Sequence, residues 1–154
     1  MKTENASKPI EILLVEDNAG DARLAQESLR ESKILNALHW VQDGIEAMKF
    51  LHRQGTYVNA ARADLILLDL NMPKMDGRKV LAEIKSDDNL RQIPVVIFTI
   101  SRAEEDILKT YNLHANCYIV KPIDLIQFFK VIKSIEDFWL TIVRLPGGKS
   151  YEYK

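Results

Sequence analysis

A single cysteine, Cys117, closes this chain to an intramolecular disulfide and to any multi-cysteine metal site. It lies in an apolar run ahead of Lys121 and reads as a small buried hydrophobe rather than a reactive thiol. Long hydrophobic stretches are missing too: no run approaches the roughly 20 residues of a membrane span. The start, Met1-Lys2-Thr3-Glu4-Asn5, is polar and is not a signal peptide. These absences imply a cytoplasmic protein with no membrane partner, in which the glycosylation spacing Asn5-Ala6-Ser7 carries no meaning. Neither sign of charge is in excess. Lys and Arg number 21 against 22 Asp and Glu, a net charge of -1, and the two signs are interleaved without a basic stripe. A nucleic-acid partner is therefore not expected. The three histidines, His39, His52 and His114, lack ligand spacing. No repeat, low-complexity segment or second domain is visible.

What the chain does have is an ordinary apolar content, 47%, and the length of one domain with one core. Apolar runs alternate with helical spacings. Strands are expected at about Ile10 to Val15, Leu38 to Val41, Leu65 to Asp69, Val95 to Thr99 and Cys117 to Val120. The periodicity predicts helices over Ala19 to Ser32, from Asp43-Gly44 to near Gly55, over Arg78 to Ser86 and over Glu104 to Tyr111. The first presents Leu24, Ser28 and Leu29 on one side, with Arg23, Glu27, Arg30 and Glu31 on the other. A last helix runs from an N-cap at Asp124 to about Val143. Residues 1–9 read as a flexible leader, 10–143 as the domain, and 144–154, with Pro146-Gly147-Gly148, as a tail. Five strands alternating with five helices imply an α/β fold, a three-layer, doubly wound parallel sheet with right-handed crossovers.

Four of the strands end in groups that carry chemistry. Glu16-Asp17 follow the first, Asp69 closes the third, Thr99 closes the fourth and Lys121-Pro122 follow the fifth. Ligands of such sheets collect beyond the carboxyl ends of the strands. Three carboxylates gathered there repel one another, and a hard divalent cation resolves the conflict; Mg²⁺ suits one or two carboxylates, a carbonyl and water. A carboxylate beside Mg²⁺ can attack a phosphoryl group, with Lys121 offsetting the charge and Thr99 bonding a phosphoryl oxygen. Taken singly, each residue has a plainer reading: Asp17-Asn18 as a helix cap, Lys121 as a surface lysine, Thr99 as strand composition, Asp69-Leu70-Asn71 as a turn. Their joint occurrence in strand order is what argues for a site.

That set resembles the response-regulator receiver domain of two-component signalling. It comprises Glu16-Asp17, Leu67-Leu68-Asp69-Leu70-Asn71-Met72-Pro73, Asp76-Gly77, Thr99 and Lys121-Pro122. The resemblance implies a flavodoxin-like sheet of order 2-1-3-4-5. It implies that Asp69 accepts phosphate from a sensor histidine kinase. Mg²⁺ would be held by Glu16, Asp17, Asp69 and the backbone carbonyl of Asn71, with Lys121 and Thr99 on the phosphate. Thr99 and Tyr118 would form a switch pair, and the Lys121-Pro122 peptide would be cis. The protein would be no enzyme beyond its own phosphorylation and dephosphorylation. It would have no output domain and would signal through a downstream protein. Gln54-Gly55-Thr56-Tyr57, Leu113-His114-Ala115-Asn116-Cys117-Tyr118 and Phe138-Trp139-Leu140 look like the stand-alone regulators associated with phytochromes, so a phytochrome-type kinase is the implied partner. Its contact would be the first helix around Asn18, Asp21 and Leu24, plus Pro122 and Ile123. Ile100, where receivers usually carry a small residue, is expected to narrow access to the pocket, and Ile123 stands in place of a commoner aromatic.

Two other classes compete. A haloacid-dehalogenase-type phosphatase also uses a strand-end Asp but wants a second Asp two residues on, where this chain has Asn71. A pseudo-receiver would keep the pocket and serve only as an interaction module. Gly148-Lys149-Ser150 imitates the end of a phosphate-binding loop, yet Val143 stands where its first glycine belongs. On the last helix, Leu125, Phe128, Ile132, Ile135, Trp139 and Ile142 form one stripe, and Ile126, Phe129, Val131, Phe138 and Val143 widen it. One apolar face is all a surface helix needs, so a homodimer through this helix and the Tyr118 region is expected.

Overall fold

The computed structural model describes residues 9–32, 35–72, 75–100, 103–110, 113, 115, 117–121, 126–128, 130–131 and 133–134. Along them run β1 (Ile10–Val15), α1 (Ala19–Arg30), β2 (Asn36–Val41), α2 (Gly44–Leu51), a 3-10 turn (Gly55–Tyr57), β3 (Leu65–Asp69), α3 (Gly77–Ser86), β4 (Val95–Thr99), α4 (Ala103–Thr110) and β5 (Cys117–Val120). The described residues from 126 to 134 are helical and belong to a fifth helix, α5. The strands form one parallel sheet in the order β2-β1-β3-β4-β5. This is the expected fold. Pro122, the helix beyond 134, the leader through residue 8 and the tail lie outside the described residues.

Alternation along the strands builds two cores. Leu13, Val15, Ile66, Leu68, Val95 and Ile97 face α2, α3 and α4, together with Val80, Leu81, Ile84 and Leu108. Ile12, Leu14, Leu65, Leu67, Val96, Phe98 and Ile119 face the other way, onto Ala22, Ala25 and Leu29 of α1 and Phe128 of α5. Phe128 meets Phe98 at a centroid distance of 5.9 Å. β1 is nearly all buried, and β3 and β4 wholly so, as central strands covered on both faces require.

The loops after β1, β2 and β3 each start their helix with a polar cap. Asn18 accepts from the Asp21 N–H at 2.8 Å, Asp43 from Glu46 at 2.9 Å and Asp76 from Arg78 at 2.6 Å. These caps place the helix starts tightly over the strand ends. On α1 the buried face is carried by Ala22, Ala25, Ser28 and Leu29, while Leu24 stays half-buried. Small residues let α1 lie close to the sheet, which spacing of large apolar residues alone does not reveal. β2 begins at Asn36, two residues earlier than expected. α2 stops at Leu51, because Arg53 enters the left-handed region at φ 57° and Gln54 donates back to Lys49 at 2.9 Å. The segment that follows is pinned rather than loose: the Tyr57 hydroxyl donates to Glu46 at 2.7 Å, and its ring meets Phe50 edge-on at 5.5 Å. No helix among the described residues is long and apolar enough to cross a membrane.

Candidate functional site

The alternation that fills the α1-side core also aims the charged groups. Ile12 and Leu14 are followed at the next same-face position by Glu16, Leu65 and Leu67 by Asp69, and Ile119 by Lys121. The ends of β1, β3 and β5 thus turn an acid, an acid and a lysine towards one face, at the carboxyl edge of the sheet, with β4 between the last two. Thr99 falls on the opposite face with Ile97. It is fully buried, and its carbonyl accepts from the Lys121 backbone N–H at 2.6 Å.

Glu16 and Asp69 are both buried, with Asp17 exposed beside them. One carboxylate oxygen from each of the three lies within 4.8 Å of the others. The Lys121 ammonium bonds Glu16 Oε2 at 3.0 Å and Asp69 Oδ2 at 3.1 Å. It also reaches Asp21 Oδ2, on the first turn of α1, at 3.0 Å. The second oxygen of Asp69, Oδ1, accepts the Asn71 N–H at 2.9 Å. Glu16 Oε2 accepts the Asn18 N–H at 3.1 Å, whereas its Oε1 is buried and has no hydrogen-bond partner among the described residues.

These contacts set the electrostatics. Burial, and then the hydrogen bond and negative charge of Asp69, push the Glu16 carboxyl up to about 8, against smaller opposing contributions from Lys121 and the Asn18 N–H. For Lys121, burial acts to lower the pKa. Its contacts with Glu16, Asp69 and Asp21 outweigh burial and hold it above its ordinary value. An orphaned, buried carboxylate oxygen beside two further carboxylates fits a hard divalent cation. Occupation by such an ion would satisfy Glu16 Oε1 and offset the burial and the neighbouring Asp69 charge that raise the Glu16 pKa. Glu16, Asp17 and Asp69 are the residues that would hold it.

Neighbouring groups hold the loops around this centre. The Asn71 side-chain oxygen accepts the Ile100 N–H at 3.2 Å, tying the loop after β3 to the loop after β4. The Ile100 side chain is 64% exposed. Arg78, at the start of α3, pairs with both oxygens of Glu104 on α4 and with Asp76. Tyr118 is half-buried on the same face as Ile97 and Thr99, and its hydroxyl accepts the Ala115 N–H at 3.2 Å. The fold therefore brings together Glu16, Asp17, Asp69 and Lys121, with Thr99 one strand end away, and leaves Tyr118 lower on β5. Sequence reasoning assigned Asp21 to a partner surface and missed its contact with Lys121; a first-turn acid on the helix just after Glu16-Asp17 was the available signal. A separate cavity of about 300 Å³, lined by His52, Arg53, Arg62, Asp87 and Leu90, lies at the other end of the sheet and has no acidic cluster.

Known proteins share this fold. The response regulator receiver domain matches residues 12–133. The response regulator Rcp1 of Synechocystis sp. is 50% identical over 146 residues, covering 95% of this chain and 99% of the relative. A crystal structure of the phosphorylated cyanobacterial phytochrome response regulator RcpA superposes with a TM-score of 0.78 at 53% identity, covering 91% of this chain and 100% of that one. The Mn²⁺-bound form of Rcp1 superposes with a TM-score of 0.77 at 52% identity, covering 90% and 100%. Strand order, acidic cluster and family match agree, and the chain belongs to the response regulator receiver domain family.

Proposed function

We propose that this chain is a phosphoacceptor of two-component signalling, in which Asp69 takes a phosphoryl group from a phosphohistidine of a sensor kinase. One Asp69 oxygen attacks phosphorus, the P–N bond to the imidazole breaks with its electron pair staying on that nitrogen, and the histidine leaves as neutral imidazole because its other ring nitrogen already carries a proton. The observation that carries this reading is the fixing of Asp69 from both sides, by the Asn71 N–H on Oδ1 and by the Lys121 ammonium on Oδ2. A carboxylate held in one orientation inside a buried pocket has its entropy of approach largely removed. Lys121 stands where charge grows on the transferring group and lowers the cost of that charge. Mg²⁺, held by Glu16, Asp17, Asp69 and the backbone carbonyl of Asn71, would supply the further positive charge that phosphoryl transfer needs. The Mn²⁺-bound form of Rcp1 supports the choice of a divalent ion.

The phosphoryl group adds about -1.5 to -2 of charge at the strand ends. In our reading Thr99 moves towards it and Tyr118 turns inward, changing the surface of α4 and β5 for a downstream protein. The phytochrome regulator relatives make a phytochrome-type kinase the favoured donor, with a contact on α1 around Asn18 and Leu24. Exposed Ile107 on α4 and Ile126 on α5 favour pairing with a second copy. Light scattering at micromolar concentration tests that pairing, and a monomer there removes it.

The central test is intact mass after incubation with acetyl phosphate and Mg²⁺, for the wild type and for Asp69→Asn. A single base-labile phosphoryl adduct on the wild type alone is the expected result. No adduct from either acetyl phosphate or a kinase, with divalent binding intact, would convert the protein to a pure interaction module.

A further inference from the structure

An ammonium has three N–H donors, and on Lys121 three carboxylates receive them: Glu16 at 3.0 Å, Asp69 at 3.1 Å and Asp21 at 3.0 Å. The three acceptors are not equivalent. Asp69 changes its chemistry when it takes the phosphoryl group, because its carboxylate becomes an acyl phosphate and loses its charge. Glu16 is one of the carboxylates that would hold a divalent cation. Asp21 belongs to neither event: it sits on α1, outside the Glu16, Asp17 and Asp69 cluster. Its side chain is 27% exposed, against 14% for Lys121.

We infer that Asp21 is the positioning residue for Lys121, the one partner that keeps the ammonium aimed at the strand ends when its contacts with Glu16 and Asp69 are given up. This rests on the phosphoacceptor reading above. A lysine side chain has four rotatable bonds, and a loose one reaches a phosphoryl oxygen only by spending rotamer freedom during transfer. With Asp21 in place, that freedom is removed beforehand. The local alternative is that Asp21 serves α1 as an acid in its first turn, complementing the helix dipole and capped by Asn18. That role needs the backbone and a charge near the helix start, and it does not need Lys121. The contact joins residues 100 positions apart, from α1 to the end of β5.

The two roles separate in a double-mutant comparison with full-length protein. Phosphoryl uptake from acetyl phosphate is followed by intact mass for wild type, Asp21→Ala and Asp21→Asn, each also in a Lys121→Met background. Positioning through Lys121 predicts a fivefold or greater drop in the limiting uptake rate of Asp21→Ala, with half-saturation in acetyl phosphate changed less than twofold. Asp21→Asn, which keeps an oxygen acceptor, falls between Asp21→Ala and wild type. In the Lys121→Met background Asp21→Ala makes no further difference. An equal loss in both backgrounds, or no loss in either, overturns the inference while leaving the wild-type adduct, and so the phosphoacceptor reading, intact. Absence of an adduct on the wild type sinks that reading first and this inference with it. A second measurement does not depend on turnover. In a crystal of the Mg²⁺ and beryllofluoride complex, Lys121 should still lie within hydrogen-bond distance of Asp21 with its Asp69 contact replaced. A Lys121 turned away from Asp21 there overturns the inference independently.

Discussion

The indole N–H of Trp40 donates to the backbone carbonyl oxygen of Glu16 at 2.7 Å. The Glu16 N–H in turn donates to the Val41 carbonyl at 3.1 Å, so the first residue beyond β1 remains clamped to β2. Glu16 is thereby held at its backbone by one strand and at its carboxylate by Lys121. Replacing Trp40 with Phe keeps much of the apolar contact and removes the donor. The expected cost is about 1 kcal/mol of stability, together with a several-fold weaker affinity for Mg²⁺, read by urea unfolding and by calorimetric titration. A Trp40→Phe protein that loses stability yet binds the ion as tightly as wild type would show that the clamp serves only the fold.

Gly77 and Asp69 stand in a still closer relationship. A β-carbon on Gly77 would lie 2.4 Å from the Asp69 carbonyl oxygen and 2.6 Å from the Leu70 α-carbon, both of them backbone atoms that cannot swing aside. The glycine lets the start of α3 rest directly on the end of β3, and its N–H bonds the Leu70 carbonyl at 3.2 Å. Gly77→Ala is expected to destabilise by about 3 kcal/mol, at the upper end of overpacking costs, and to slow phosphoryl uptake by shifting Asp69. Equilibrium unfolding measures the first effect. An Ala variant within about 0.5 kcal/mol of wild type would mean that α3 moves off without penalty.

Much of this geometry was legible beforehand because it is written in local patterns. A buried strand ending in Asp69 shows as an apolar run followed by a turn, and period-two alternation carries Glu16 and Lys121 to the same face. Strand limits came out closely for β1, β3, β4 and β5, where apolar runs stop abruptly. β2 was shortened because Asn36 and Ala37 do not look like strand residues, yet pairing with Ile10 and Glu11 holds them extended. The early stop of α2 depends on Arg53 adopting a left-handed conformation that favours glycine, which its identity conceals. The links from Lys121 to Asp21, Trp40 to Glu16 and Arg78 to Glu104 span 100, 24 and 26 positions. Such contacts follow from the completed fold and leave no periodic trace.

The Arg78 link offers a separate prediction about the β4–α4 region. Its guanidinium grips Glu104 through two nitrogens and also touches Asp76, so one side chain joins the cap of α3 to the first turn of α4. The Glu104 hydrogen bond raises the Arg78 pKa, against a smaller opposing effect of burial. Arg78 is 36% exposed and Glu104 14%, which leaves the pair partly screened by solvent. A double-mutant cycle with Arg78→Ala and Glu104→Ala is expected to give a coupling energy of about 1 kcal/mol, shrinking when salt is raised to about 0.5 M. Additive single effects would show that α4 is held by its apolar contacts alone.

Glu16 supplies the pH dependence. An unfolded glutamate titrates near its ordinary value of 4.5, while burial, followed by the neighbouring Asp69, pushes the folded one up to about 8. Between those values the folded protein holds a proton that the unfolded chain has released. Stability of the metal-free protein from this group therefore falls as pH rises through the window from 4.5 to about 8, and is flat on either side. A divalent ion must displace the same proton, so its apparent affinity should climb up to about pH 8 and then level off. Glu16→Gln removes the ionisation while keeping the shape. Urea unfolding in the presence of a chelator should show the variant gaining on the wild type as pH rises, with the gain complete above the folded titration. If both proteins follow parallel curves from pH 5 to about 9, the buried proton is not on Glu16.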